Sequence, residues 1–247
     1  MLGTCKLCDE ECSEIRNSHI IPEFNYTPCY DEKHRFFKLS STNPRHQTYE
    51  QMGFREYLLC QKCETKLSVW EKYAKRILKN DGLHLIDKNQ FGYALGGADY
   101  EHFKLYGMSI LWRMGISRLS LFEEVLLGPH EERLRKALLT DDPLEPHEYP
   151  FWTTAVTLQG KFHSDFIVPP TLVKLDGHHV YRCMISGILY SFFVGSHRVS
   201  PGVEDLALTR EGVLKVPVMP IEDIPFLRDH IVQIANRIKE VESGPRE

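Results

Sequence analysis

Long apolar runs are missing from this sequence. The longest uncharged apolar stretch, from Met184 to Ser196, falls short of the roughly 20 residues that a membrane helix needs, so no membrane partner is expected. A secretory signal is missing too, since Met1 to Glu14 holds three cysteines and four acidic residues and has no apolar centre. The expectation is a soluble, cytoplasmic protein. Charge of one sign is also scarce. The formal net charge is −4 over 247 residues, which gives no global attraction to a polyanion. Residues 1–80 carry 13 Lys and Arg against 11 Asp and Glu, and the remainder 17 against 23, so the first third is the better candidate to touch nucleic acid. No internal repeat and no low-complexity segment interrupts the chain.

What stands out is the placing of the cysteines. Two of the short-spaced pairs, Cys5-Lys6-Leu7-Cys8 and Cys60-Gln61-Lys62-Cys63, supply four soft ligands. That is the set for a closed tetrahedral zinc site with no open coordination position, whose task is to staple a small unit. Cys12 is close enough in sequence to take the place of Cys8 as a ligand. Of the other two cysteines, Cys29 has no assigned role and Cys183 lies in an apolar run, as a buried small hydrophobe would. A thiol redox role is disfavoured because neither pair opens a βαβ pattern.

A strand-like run from Ile15 to Ile21 follows the first pair, and Tyr57-Leu58-Leu59 leads into the second. Beyond Cys60, the residues Leu67, Trp70, Tyr73, Ala74 and Ile77 recur at helical spacing, so the second pair opens a helix. Lys79-Asn80-Asp81-Gly82 stops it. The order predicts an α+β protein whose residues 1–80 form a small zinc-stapled ββα, treble-clef-like module. Residues 81–247 predict a larger α+β domain, expected to fold on its own. It has a buried helix from Tyr100 to Leu119, a helix start at Gly128-Pro129, and an antiparallel sheet. Two of the sheet strands flank the hairpin signal Asp176-Gly177, and a third runs from Ile188 to Val194. Ile224, Leu227, Ile231, Ile234, Ile238 and Val241 mark a C-terminal helix. Its apolar stripe is expected to pack on the chain's own sheet, with a protein partner or a homodimer as its other use.

The segment between the cysteine pairs carries Ser18-His19-Ile20-Ile21-Pro22. A strand ending in His-Ile-Ile-Pro, framed by two such pairs with the second opening a helix, resembles the HNH (ββα-metal) endonuclease family over the first third of the chain. The resemblance implies hydrolysis of phosphodiester bonds, with His19 as the general base that takes a proton from water. It also implies a divalent ion, magnesium or manganese, at the leaving oxygen. Three positions depart from the family pattern. Ser18 stands where an Asp or His metal ligand is usual, Arg55 where an asparagine is usual, and Glu64 where a His or Asn follows the second pair. Glu64 is the expected metal ligand, a hard donor. Glu71 lies about 10 Å further along the helix, too far to share one ion with it. Glu23, Asp31 and His34 are open as further ligands.

Arg55, Lys62 and Lys66 are candidates to follow a phosphate backbone, with DNA expected ahead of RNA. Each reading has a plain structural counterpart. His19 would be a strand-end histidine bonded to backbone, Glu64 a helix-start carboxylate, and the lysines a solvated helix face. The leading expectation is an HNH-like endonuclease, in the setting of bacterial defence against phage or plasmids. The alternative is a catalytically inert zinc module that binds nucleic acid or protein.

Overall fold

The computed structural model describes residues 2–38, 48–79 and 81–229. Two short strands, β1 (Gly3–Thr4) and β2 (Glu11–Cys12), pair around the first cysteine knuckle. β3 (Ile15–His19) pairs antiparallel with β6 (Arg55–Cys60). Between them, β4 (Phe36–Lys38) and β5 (Thr48–Glu50) make a small ladder of their own. Helix α1 (Gln61–Leu78) follows β6 directly, so the strand, strand, helix order expected from the sequence is present. Leu67, Trp70, Ala74 and Ile77 form its buried stripe, and it packs on β3, β6 and α2 (Tyr100–Ile116).

The hairpin β7 (His84–Asn89) and β8 (Gly92–Gly96) precedes α2. After α2 come α3 (Pro129–Leu139), β9 (Phe151–Leu158), β10 (Lys161–Phe162), β11 (Ile167–Leu175), β12 (His178–Ile185) and β13 (Ile188–Val194). A single turn, α4 (Pro201–Glu204), leads to β14 (Leu214–Pro220). These strands form one sheet of eight in the order β11-β12-β13-β9-β14-β8-β7, with β10 added on β9. Every pair is antiparallel except β14 with β9. The hairpin at Asp176-Gly177 forms with positive φ at both residues, 54° and 79°, which matches the twist of the strands it joins.

Nearly every residue of α2 is buried, because it lies between the ββα unit, α3 and one face of the sheet. Gly107 lets it approach that closely: a Cβ there would lie 2.2 Å from the Phe151 ring. The opposite sheet face carries two smaller clusters. One joins Val156, Val168, Met184 and Leu189 to Ile224 and Leu227. The described start of the C-terminal stripe therefore packs on the chain's own sheet, while Ile231, Ile234, Ile238 and Val241 lie outside the described residues.

Packing ignores the boundary near residue 80. One contiguous core runs from Leu7, Ile20 and Trp70 through Tyr106 and Trp112 to Tyr190 and Phe192. Removing residues 1–81 would uncover the α1-facing side of α2 and cut this shared core. The fragment 82–247 is therefore expected to be molten, with loss of near-UV ellipticity from Trp112 and Trp152. The full chain is expected to unfold in one cooperative transition. Circular dichroism of both decides it.

Candidate functional site

The first knuckle is a tight backbone turn. Cys5 N–H donates to Glu10 O at 3.0 Å and Asp9 N–H to Cys5 O at 2.9 Å, with Asp9 at φ 61°. Lys6 N–H donates to Leu58 O at 2.8 Å, which lays the turn against β6. Cys60 caps α1, and its N–H reaches Cys5 Sγ at 3.3 Å. The Sγ atoms of Cys5, Cys8, Cys60 and Cys63 lie within 4.8 Å of one another. A tetrahedron with Zn–S bonds of about 2.3 Å needs thiolates roughly 3.8 Å apart, so the four are placed for zinc with little adjustment.

The protonation chemistry agrees. Burial, followed by the neighbouring Cys5, pushes the Cys8 thiol up to about 11, and burial with the charge of Cys5 drives Cys63 higher still. Cys60 falls to about 7, because hydrogen bonds led by the Cys63 N–H outweigh its desolvation. Crowded buried thiols resist losing their protons together unless a cation replaces those protons. The cluster is consistent with a structural zinc site. Cys12 lies beside Cys60 but outside the four, its Sγ donating to Glu10 O at 3.4 Å.

His19 sits at the other end of the β3–β6 pair, with Arg55 as its cross-strand partner. Pro22 turns the chain so that Glu23, four residues on, brings Oε2 against His19 Nε2. Arg55 Nη2 donates to the same Oε2 at 3.2 Å, and Tyr30 Oη donates to Oε1 at 3.1 Å. The His19 ring is 19% exposed. Burial is the first cause that lowers its pKa. The Arg55 and Arg113 charges act in the same sense, while Glu23 and Glu71 oppose them. The net effect lowers the His19 pKa from the ordinary histidine value.

Ser18 points elsewhere. It is 2% exposed, donates to Arg16 O at 3.3 Å and accepts from Leu59 N–H at 3.2 Å. The pair is bulged between Arg16 and Asn17, and the serine satisfies a backbone group that the bulge leaves without a ladder partner.

Glu64 lies in the first turn of α1, where a carboxylate complements the dipole. Its Oε1 is buried with no hydrogen-bond partner, and no contact joins it to His19. The acid of α1 that reaches the His19 neighbourhood is Glu71, two turns along. It pairs at 2.8 Å with Arg113 Nη1, which also donates to His19 O at 2.9 Å. Sequence reasoning missed Arg113. Asp31 is held by Arg35, and His34 stacks on Tyr30, so neither meets His19. Lys66 donates to Leu139 O and Asp141, each at 2.7 Å, which docks α1 on the end of α3. Lys62 is exposed.

A second, catalytic ion fits this arrangement poorly. Among the described residues only the four cysteines form a group of three or more His, Cys, Asp or Glu donors drawn together, whereas magnesium or manganese takes several hard oxygen donors. No family model, curated protein or solved structure matches the chain.

Two outcomes follow. Elemental analysis of protein purified without chelator is expected to give one zinc per chain, and Cys60→Ser to lose both zinc and fold. An NMR titration should place the His19 midpoint below that of an ordinary histidine. The sign is then set: the folded pKa lies below the unfolded one, so the stability His19 contributes is present above about pH 6.5 and is lost on acidification.

Proposed function

We propose that the strand, strand, helix unit hydrolyses phosphodiester bonds of nucleic acid, DNA ahead of RNA as the HNH resemblance implies, with His19 as the general base. The observation that carries this reading is the setting of the ring. It is an imidazole at a strand end, partly exposed, its pKa lowered first by burial, with one nitrogen against a carboxylate and a guanidinium beside it. Glu23 against Nε2 favours the tautomer that leaves Nδ1 free to accept a proton, the role a carboxylate plays beside a catalytic histidine. Nδ1 takes the proton of a water as its oxygen attacks phosphorus, the P–O bond to one sugar oxygen breaks, and that oxygen leaves as a hydroxyl after taking a proton from solvent. Arg55 then faces the charge that gathers on the phosphoryl oxygens. The magnesium or manganese ion that the resemblance implies enters no step here, and Glu64 stays outside the reaction.

The inert zinc module remains the rival reading, favoured by one observation. Glu23 already accepts from Arg55 Nη2 and Tyr30 Oη and lies against His19 Nε2, so a phosphate must compete with Glu23 for Arg55. Either use fits a role in defence against phage or plasmids. The test is cleavage of plasmid, single-stranded DNA and RNA by the full chain, with chelator, magnesium or manganese. His19→Ala is expected to reduce cleavage by roughly 10²–10⁴-fold with zinc content unchanged. A wild-type chain that cuts nothing under any condition leaves the inert module standing. Equal cutting by His19→Ala places the active site elsewhere.

A further inference from the structure

We propose that the second unit completes this site, and that Arg113 of α2, paired with Glu71 of α1, is a positioning residue for His19. The inference rests on the reading of His19 as a base only for its cleavage arm. The geometry concerns one peptide group. The carbonyl of His19 accepts from Arg113 Nη1 at 2.9 Å, and the N–H of Ile20, in the same peptide plane, donates to Phe54 O at 2.9 Å. Both polar groups of the peptide that follows the base are therefore held, one by β6's entry and the other by a helix from the far side of residue 80.

Arg113 is itself fixed. It is 2% exposed, its Nε donates to Ser109 O at 3.2 Å and its Nη2 to Ser109 Oγ at 3.3 Å. A guanidinium buried this deeply needs an acid, and Glu71 supplies it at 2.8 Å. The ion pair thus joins α1 to α2 at the level of His19. Further contacts of the same kind hold the turn after His19. Ser186 Oγ donates to Asn25 O at 2.6 Å, and the Phe24 ring stacks on Tyr106 of α2. A lysine at position 113 would keep the charge but not the fork that reaches His19, Glu71 and Ser109 together.

The charged and titratable groups facing His19 are Glu23 from its own turn, Arg55 from β6, Tyr26 and Tyr30 from the loop, Glu71 from α1 and Arg113 from α2. Arg113 and Glu71 act on the ring in opposite senses. Both charges act on the ring through space whether or not they position it, so the variant that isolates positioning is Arg113→Lys, which keeps the charge and loses the fork.

The test reads the His19 ring titration and the Ile20 amide resonance by NMR in the full chain, with the pH profile of cleavage measured beside them. Arg113→Gln is expected to raise the His19 midpoint and Glu71→Gln to lower it. Misplacement of the base is expected to cut cleavage by Arg113→Gln about 10²-fold, with Arg113→Lys recovering only part of the loss. Should Arg113→Gln fail to fold, the double variant Arg113→Gln/Glu71→Gln replaces it, since no unpaired charge is left buried; it is expected to fold and to keep the cleavage defect. Full cleavage and an unmoved Ile20 amide resonance in Arg113→Lys overturn the proposal. A wild-type chain that cuts nothing overturns the nuclease reading instead, and the Ile20 amide resonance of Arg113→Lys still decides the positioning role.

Discussion

The geometry of the first eighty residues depends on one constraint, the closure of Cys5 and Cys8 onto Cys60 and Cys63. An isolated two-stranded sheet is marginal in water, and β3–β6 is such a sheet. The thiol cluster fixes one end of it. It also fixes where α1 begins, because Cys60 is at once the last residue of β6 and the helix cap. The direction of α1 follows, and so does the level at which Glu71 arrives beside β3. The second unit braces the cluster from outside. Arg135 of α3 donates to Leu7 O at 2.6 Å, and Lys66 is anchored at the end of the same helix. Opening of the thiol cluster would therefore loosen both the ββα unit and its seat on α2 and α3.

Helix α2 solves the complementary problem of registering an apolar rod. It is apolar on almost every side, and apolar contact alone lets a helix slide or turn at little cost. Two buried cations remove that freedom. Near its start, Lys104 donates to Glu148 O at 2.7 Å and Tyr149 O at 3.0 Å, at the turn that feeds β9. Near its end, Arg113 grips the strand end at His19 and the side chain of Glu71.

The two cations meet burial differently. Arg113 has an acid and two carbonyls around it. Lys104 is bonded to carbonyls alone, and desolvation, opposed in part by the charge of Glu148, pushes it down to about 7. Between that value and the ordinary lysine range the unfolded chain holds the extra proton, so this site favours folding more as pH rises. One helix thus carries a permanent charge at the candidate site and a titratable one at the sheet.

Elements with a strong local period were legible in the sequence. The helix after Cys60, the helix from Tyr100 and the hairpin at Asp176-Gly177 all formed where spacing and turn chemistry placed them. The strands that stayed hidden are those whose pattern is set by neighbours. β9 lies inside the sheet, buried along most of its length, and shows no alternation. β7 is exposed at every residue. β14 contains Pro217 and Pro220, a mark against a central strand. It occupies one by changing partners, pairing with β8 up to Pro217 and with β9 from Val218.

The site was legible in the same uneven way. Glu23, four residues from His19 across Pro22, was within reach of local reasoning. Choosing Glu64 over Glu71 on α1 followed a motif position, where the level of the helix against β3 decides. Arg113 lies 94 residues from His19, beyond any spacing rule. One signal did point to it. A helix that reads as apolar on most faces yet contains Lys104 and Arg113 must bring partners to both, since buried cations without acids or carbonyls are not tolerated. Asking where the acid for Arg113 comes from leads to α1, and from α1 to the strand that ends in His19.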